Sequence, residues 1–113
     1  MQYVLLIYHG DSLTTPRPEE EQKRIYAEWG EVNKTPGLTG GLPMGLAENA
    51  TTVRVQDGTT LTTDGPFVEI KEAVGGYAVL EADDLDEAIE LAARIPAARL
   101  GGAIEVRPLV ERE

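Results

Sequence analysis

Tyr3-Val4-Leu5-Leu6-Ile7-Tyr8 is an unbroken apolar run of strand-favouring residues, and how it is covered decides the fold. A half-exposed strand alternates apolar and polar side chains, whereas a strand buried on both faces reads as a continuous hydrophobic run. Two helices cover one face of a small sheet and leave the other bare. The run therefore predicts a second covering layer. A chain of 113 residues with 42% hydrophobic content holds one modest core and not two, so that layer is expected from a second copy of the chain.

Working outward, Gly10 to Pro18 reads as a loop. Thr15 is the expected N-cap of a helix, with Pro16 at its first position and Glu19-Glu20-Glu21 near the positive end of its dipole. Ile25, Trp29 and Val32 follow at i, i+4 and i+7, a stripe expected to face the sheet. Gly30 costs about 1 kcal/mol relative to alanine in a helix and points to a close approach or a bend. Leu38 to Leu46 is rich in glycine and contains Pro43, the pattern of an irregular, bulged strand.

Thr52 to Gln56 places Val53 and Val55 inward, Asp57-Gly58 is a two-residue turn, and Thr59 to Thr63 returns as the second strand of a hairpin arm. Gly76 to Ala82 is the next core strand. Asp84 with Glu87 makes a capping-box-like start for a second helix with Ala88, Leu91, Ala92 and Ile95 on its buried stripe, and Pro96 stops it. Ala103 to Val110 supplies the last strand. The order is that of an α+β protein, a ferredoxin-like βαββαβ with an inserted β-hairpin, in a single domain over residues 1–113.

Charge narrows the partners. Twenty acidic against ten basic side chains leave a net charge of −10, which repels phosphate backbones and acidic membranes and argues against a nucleic-acid or membrane partner. The absence of cysteine removes disulfide and thiolate chemistry and suits the cytoplasm. The first apolar run is too short for a signal-peptide core, and no stretch approaches a membrane span.

Ionisable groups concentrate between Thr62 and Tyr77. In an ordinary turn Asp64 would accept the N–H two residues on, but that residue is Pro66, which has none, so Asp64 needs another partner such as the N–H of Phe67. Lys71, flanked by Glu69 and Glu72, follows directly. His9 is the only histidine, at the end of the first strand beside Tyr8 and Asp11, and is the natural acid/base candidate; the alternative is an exposed strand-end residue. Ser12 completes the residue types of a hydrolase triad without a nucleophile elbow, so no triad is assigned. Lacking cysteine and any histidine pair, the sequence points to no metal and no cofactor. Lys71, Arg54 and Arg107 are candidate clamps for a carboxylate.

Several blocks occur in one order along nearly the whole chain: Tyr3 to Tyr8, then Asp64-Gly65-Pro66-Phe67 with Lys71-Glu72 and Gly75-Gly76, then Arg94-Ile95-Pro96-Ala97-Ala98, then Glu105-Val106-Arg107-Pro108. Together they resemble the YCII-related family, specifically its DGPF branch. The resemblance implies a ferredoxin-like fold that forms a homodimer through its sheets, a dimeric α+β barrel. The founding branch carries a histidine on its first helix, proposed to act with an aspartate. That histidine has no counterpart here, where the helix carries Tyr26 and Trp29, while Asp64 stands as the motif's own aspartate.

Two functions stay open. In the first, a cleft between sheet and helices binds a small cyclic or carboxylated metabolite, Asp64 and His9 move protons, and Tyr8, Trp29, Phe67 and Lys71 contact the substrate. In the second, the protein is a non-catalytic ligand-sensing or regulatory module linked to an extracytoplasmic-function sigma factor, as the resemblance to DGPF proteins implies.

Overall fold

Strand β1 (Gln2–Tyr8) occupies an interior position of a four-stranded antiparallel sheet ordered β2-β5-β1-β6, with β2 spanning Leu38–Pro43, β5 Val74–Glu81 and β6 Ala103–Pro108. The computed structural model describes residues 1–10, 15–67 and 74–110. Alternation along β1 sends Tyr3, Leu5 and Ile7 into the core, with Leu5 wholly buried. In register with them stand Leu80 on one side and Val106 and Ile104 on the other. Val32 from helix α1 (Glu19–Asn33) and Ala88, Leu91 and the adjoining Ile95 from helix α2 (Leu85–Arg94) close the same core. Both helices therefore serve one face of the sheet. Burial of a side chain such as Leu5 contributes about 1.5–3 kcal/mol.

The opposite face carries Val4, Leu6 and Tyr8, which are only half-buried, and Tyr77, which is 45% exposed. The continuous apolar run thus has one covered face and one open face within the single chain.

Helix α2 follows its sequence closely. The Asp84 carboxylate accepts the Glu87 N–H at 2.9 Å, acids occupy the first turn and Arg94 the last, and the helix ends before Pro96. Helix α1 departs from expectation at its start. It begins at Glu19 with Pro18 in the N-cap position, so Thr15 is not its cap and Pro16 is not its first residue. The reason lies in the Pro16-Arg17-Pro18 sequence: a residue preceding proline is pushed out of the helical region, so no helix runs through Arg17. Gly30 also differs from expectation. A side chain there would meet nothing within 4 Å, so it mediates no close approach. Strand β2 is irregular as its glycines suggest, with a break in register between Gly40 and Pro43.

Between β2 and β5 the chain departs into a hairpin of β3 (Thr51–Gln56) and β4 (Thr59–Asp64), which form a two-stranded sheet of their own. Asp57 and Gly58 both take positive φ, 50° and 77°, the geometry that lets a two-residue turn follow the strand twist. Its base is pinned where Gly65 N–H donates to the Ala50 carbonyl at 2.7 Å and the Thr52 hydroxyl donates to the Gly65 carbonyl at 2.8 Å. Val53 and Val55 do not point inward as their alternation suggests; they are 59% and 66% exposed. Alternation identifies a strand, but here the hairpin has no layer beneath it among the described residues. The arm makes the protein long, with a radius of gyration of 16.2 Å against about 13 Å for a compact chain of this size. Among the described residues, no helix is long and apolar enough to cross a membrane.

Candidate functional site

His9 continues the alternation of Tyr3, Leu5 and Ile7 and lies on the helix side of the sheet, beside Trp29 of α1. Its imidazole is seated by glycines. A Cβ at Gly75 on β5 would overlap the edge of the His9 ring, and one at Gly102 would run into the carbonyls of Tyr8 and Ala97. Gly75 and Gly102 therefore leave room where strand ends and an imidazole converge. Above the ring lies Trp29, with centroids 6.3 Å apart and planes tilted by 49°.

His9 and Trp29 belong to the wall of a cleft of about 260 Å³ between the first half of α1 and the turn after α2. Its polar residues are Arg17, Gln22 and the largely exposed Tyr26, while Ile25, Pro96, Ala97 and Leu100 form its apolar lining. The side chain of Arg17 is only 9% exposed; its Nη1 donates to the Thr15 carbonyl at 3.3 Å and its Nε lies 3.8 Å from Glu21 Oε1. Burial lowers the pKa of His9 below its ordinary value, so the ring is neutral at pH 7 and able to accept a proton. The cleft combines a neutral imidazole, an indole and a guanidinium that is paired with Glu21. Among its described lining residues there is no carboxylate, in a chain with twice as many acids as bases. A shallower depression of about 200 Å³ beside Pro36 and Leu91 is edged instead by Glu87, Glu90 and Arg94.

The residues singled out from sequence fall into separate groups. His9 and Trp29 meet in the cleft. Tyr8, one residue earlier, belongs by strand alternation to the open face of the sheet and does not line the cleft. Asp64 is exposed at the end of β4, in register with Thr51 at the base of the arm, and is not among the residues around His9. Phe67 is 66% exposed and lies under Arg54, whose guanidinium carbon is 5.6 Å from the ring centroid; both belong to the arm region. The pairing of Asp64 with His9 thus has no contact behind it among the described residues. Lys71, Asp11 and Ser12 lie outside the described residues. Among those described, no three His, Asp or Glu side chains gather to hold a metal ion.

Sequence reading missed Arg17, Gln22 and Tyr26. Arg17 has a signal, because the proline that follows it holds its backbone out of the helical region and so sets it just before the start of α1. Gln22 and Tyr26 are one turn and two turns into α1 and flank Ile25, so their position follows once the helix is known to start at Glu19.

The family model described as YCII-related domain matches residues 1–113, the whole chain. An uncharacterized protein of Rhizobium meliloti (strain 1021) is 33% identical over 114 residues, covering 96% of this chain and 92% of its own length.

Proposed function

The chain belongs to the YCII-related family, and from that premise we propose that it binds a small metabolite in the His9 cleft, with His9 as the proton acceptor. The observation that carries this reading is the convergence of His9, Arg17 and Trp29 on one half-closed cleft. A neutral imidazole is the form that takes a proton, and the apolar lining raises the strength of any charge interaction inside. The Asp64-Gly65-Pro66-Phe67 motif supports a reading of the chain as a member of the DGPF branch, and Asp64 acts in this reading from the arm, on a partner other than His9.

The strand order β2-β5-β1-β6 with both helices on one face supports the ferredoxin-like pattern with an inserted hairpin. The open face, with Val4, Leu6, Val79 and Tyr77, supports a homodimer in which a second sheet covers it. A second reading, a non-catalytic regulatory module, is favoured by the arm. Its exposed Val53, Val55, Leu61 and Phe67 suit a protein contact, and a sigma factor is one such partner.

The test uses two unique probes, His9 and Trp29. A panel of small metabolites is screened by Trp29 fluorescence and by the His9 ring signals in NMR. Compounds that move both, and lose the effect in Trp29→Ala, support the cleft as the site. A panel that moves neither, with a lysate partner lost in a Val53→Asp/Val55→Asp variant, would overturn it in favour of the regulatory reading.

A further inference from the structure

Resting on the cleft reading, we infer that the ligand is a small uncharged phenol, its O–H donating to the His9 imidazole and its ring set against Trp29.

Three observations lead there. First, the lining holds no free charge for a ligand. Arg17 is its one cation among the described residues, and that guanidinium is paired with Glu21 at 3.8 Å and donates Nη1 to the Thr15 carbonyl. No carboxylate stands on the described lining to receive a cation, and a chain of net charge −10 repels an anion. An ion buried without a partner is costly, so the cleft selects a neutral molecule.

Second, His9 is a polar group that the fold seats without a polar partner. Its Cδ2 edge is set against Gly75, where a Cβ would come within 2.3 Å of it, so the opposite edge, with Nδ1, turns away from β5. Among the described residues the ring has Trp29 beside it and no hydrogen-bond partner, and burial alone shifts its titration. A neutral imidazole has one bare nitrogen that accepts a hydrogen bond, and the more acidic the O–H, the stronger that bond. A phenol ionises near pH ~10, against about 15.7 for water, so it is the stronger donor and still uncharged at pH 7.

Third, size and surface favour one flat ring. A cleft of about 260 Å³ lies at the small end for ligand sites and holds on the order of ten non-hydrogen atoms. Ile25, Pro96 and Leu100 give it an apolar lining, and Trp29 supplies the aromatic neighbour against which a second ring packs in an offset or tilted pose.

Phenol is the probe. Anisole lacks its O–H, cyclohexanol lacks its ring, and benzoate is the competing anion. Binding is read by Trp29 fluorescence and by the His9 ring shifts on the whole chain. Phenol is expected to bind about fivefold more tightly than anisole and cyclohexanol, the worth of one hydrogen bond, and at least about tenfold more tightly than benzoate. His9→Phe keeps a ring beside Gly75 and removes the acceptor, so phenol and anisole are expected to bind it equally, with thermal melts to show that it is folded. The wild type gives the same test without a substitution. Below the folded-state pKa of His9, read from the same NMR signals, the ring is protonated and accepts no hydrogen bond, and the preference for phenol over anisole is expected to vanish.

Equal binding of phenol and anisole at pH 7, or a preference for phenol that survives in folded His9→Phe or below the His9 pKa, overturns the assignment of the O–H to His9 and leaves the cleft reading standing. Cyclohexanol binding as tightly as phenol overturns the aromatic assignment, and tighter binding of benzoate overturns the uncharged one, in the same way. If no probe moves either Trp29 or His9, the cleft reading falls together with this inference.

Discussion

Strands β1 and β3 each carry apolar side chains at alternate positions and behave oppositely in the molecule. Tyr3, Leu5 and Ile7 form that series on β1, where the positions between are apolar too, and Val53 and Val55 form it on β3, where the positions between are polar. The first are 3%, 0% and 3% exposed and the second 59% and 66%. The difference lies in what stands opposite each strand. The core side of β1 meets α1 and α2, whose buried stripes come from residues far along the chain, whereas β3 pairs only with β4. Period-two alternation reports that a strand has two faces, and long-range topology decides whether a face is covered.

The contrast is broken or kept most directly by truncation. Leu5→Ala is expected to lower the free energy of unfolding by about 2–5 kcal/mol, the usual loss for a buried leucine. Val53→Ala and Val55→Ala are expected to stay within about 0.5 kcal/mol, as for surface changes. Urea unfolding at two protein concentrations measures both. A large loss at Val53 that grows with protein concentration would mean that another copy covers the arm, and the two strands would then differ only in whose layer buries them.

The same contrast explains how much was legible beforehand. The Asp84 cap, the stripe through Leu91 and the Asp57-Gly58 turn are local: the residues that make them are within a few positions of each other, and the structure has them as expected. The start of α1 was misplaced because two proline effects competed. Pro16 suits a first helical turn, but Pro18 forces Arg17 out of the helix, and the second effect prevails. The site was half legible. His9 stands out because it is the sole imidazole, and Trp29 reads both as part of a core stripe and as a substrate contact. That they face each other depends on the strand end meeting α1 above Gly75 and Gly102, a long-range fact with no local spacing rule. A pairing of Asp64 with His9 follows from their positions at strand ends alone, with no spacing rule behind it, and Asp64 stands exposed at the base of the arm, outside the described lining of the cleft.

Two glycines sharpen the comparison between a seat and a surface. Gly75→Ala places a methyl group against the His9 ring and is expected to destabilise the protein by about 1–3 kcal/mol, with a change in Trp29 emission as the ring above it moves. Gly30→Ala meets nothing within 4 Å and sits inside a helix, so it is expected to stabilise by up to about 1 kcal/mol. Thermal melts of the two variants give the sign of each. Equal, small effects would mean that His9 swings away from Gly75 at little cost, and that its place in the cleft is not held by the sheet.

The smallest effect is in pH dependence, and it compares His9 with Asp64. Burial sets the folded-state pKa of His9 below the ordinary 6.5, so between those two values the unfolded chain binds more protons than the folded one. Stability therefore rises with pH through that window, is flat above it, and has lost the His9 contribution once pH falls through the folded value. The slope is read as the difference between wild type and His9→Gln, which cancels the carboxylates that titrate at lower pH. Trp29→Ala admits water to the ring and is expected to bring the pKa back towards 6.5 and erase the difference, whereas Asp64→Asn is expected to leave the His9 NMR titration where it is. A His9 pKa above 6.5 that drops in Asp64→Asn would instead couple the two residues across the space between cleft and arm. A carboxylate raises the pKa of an imidazole that it contacts and desolvation lowers it, so the sign of this one shift decides between the motif's aspartate and the indole as the neighbour that governs His9.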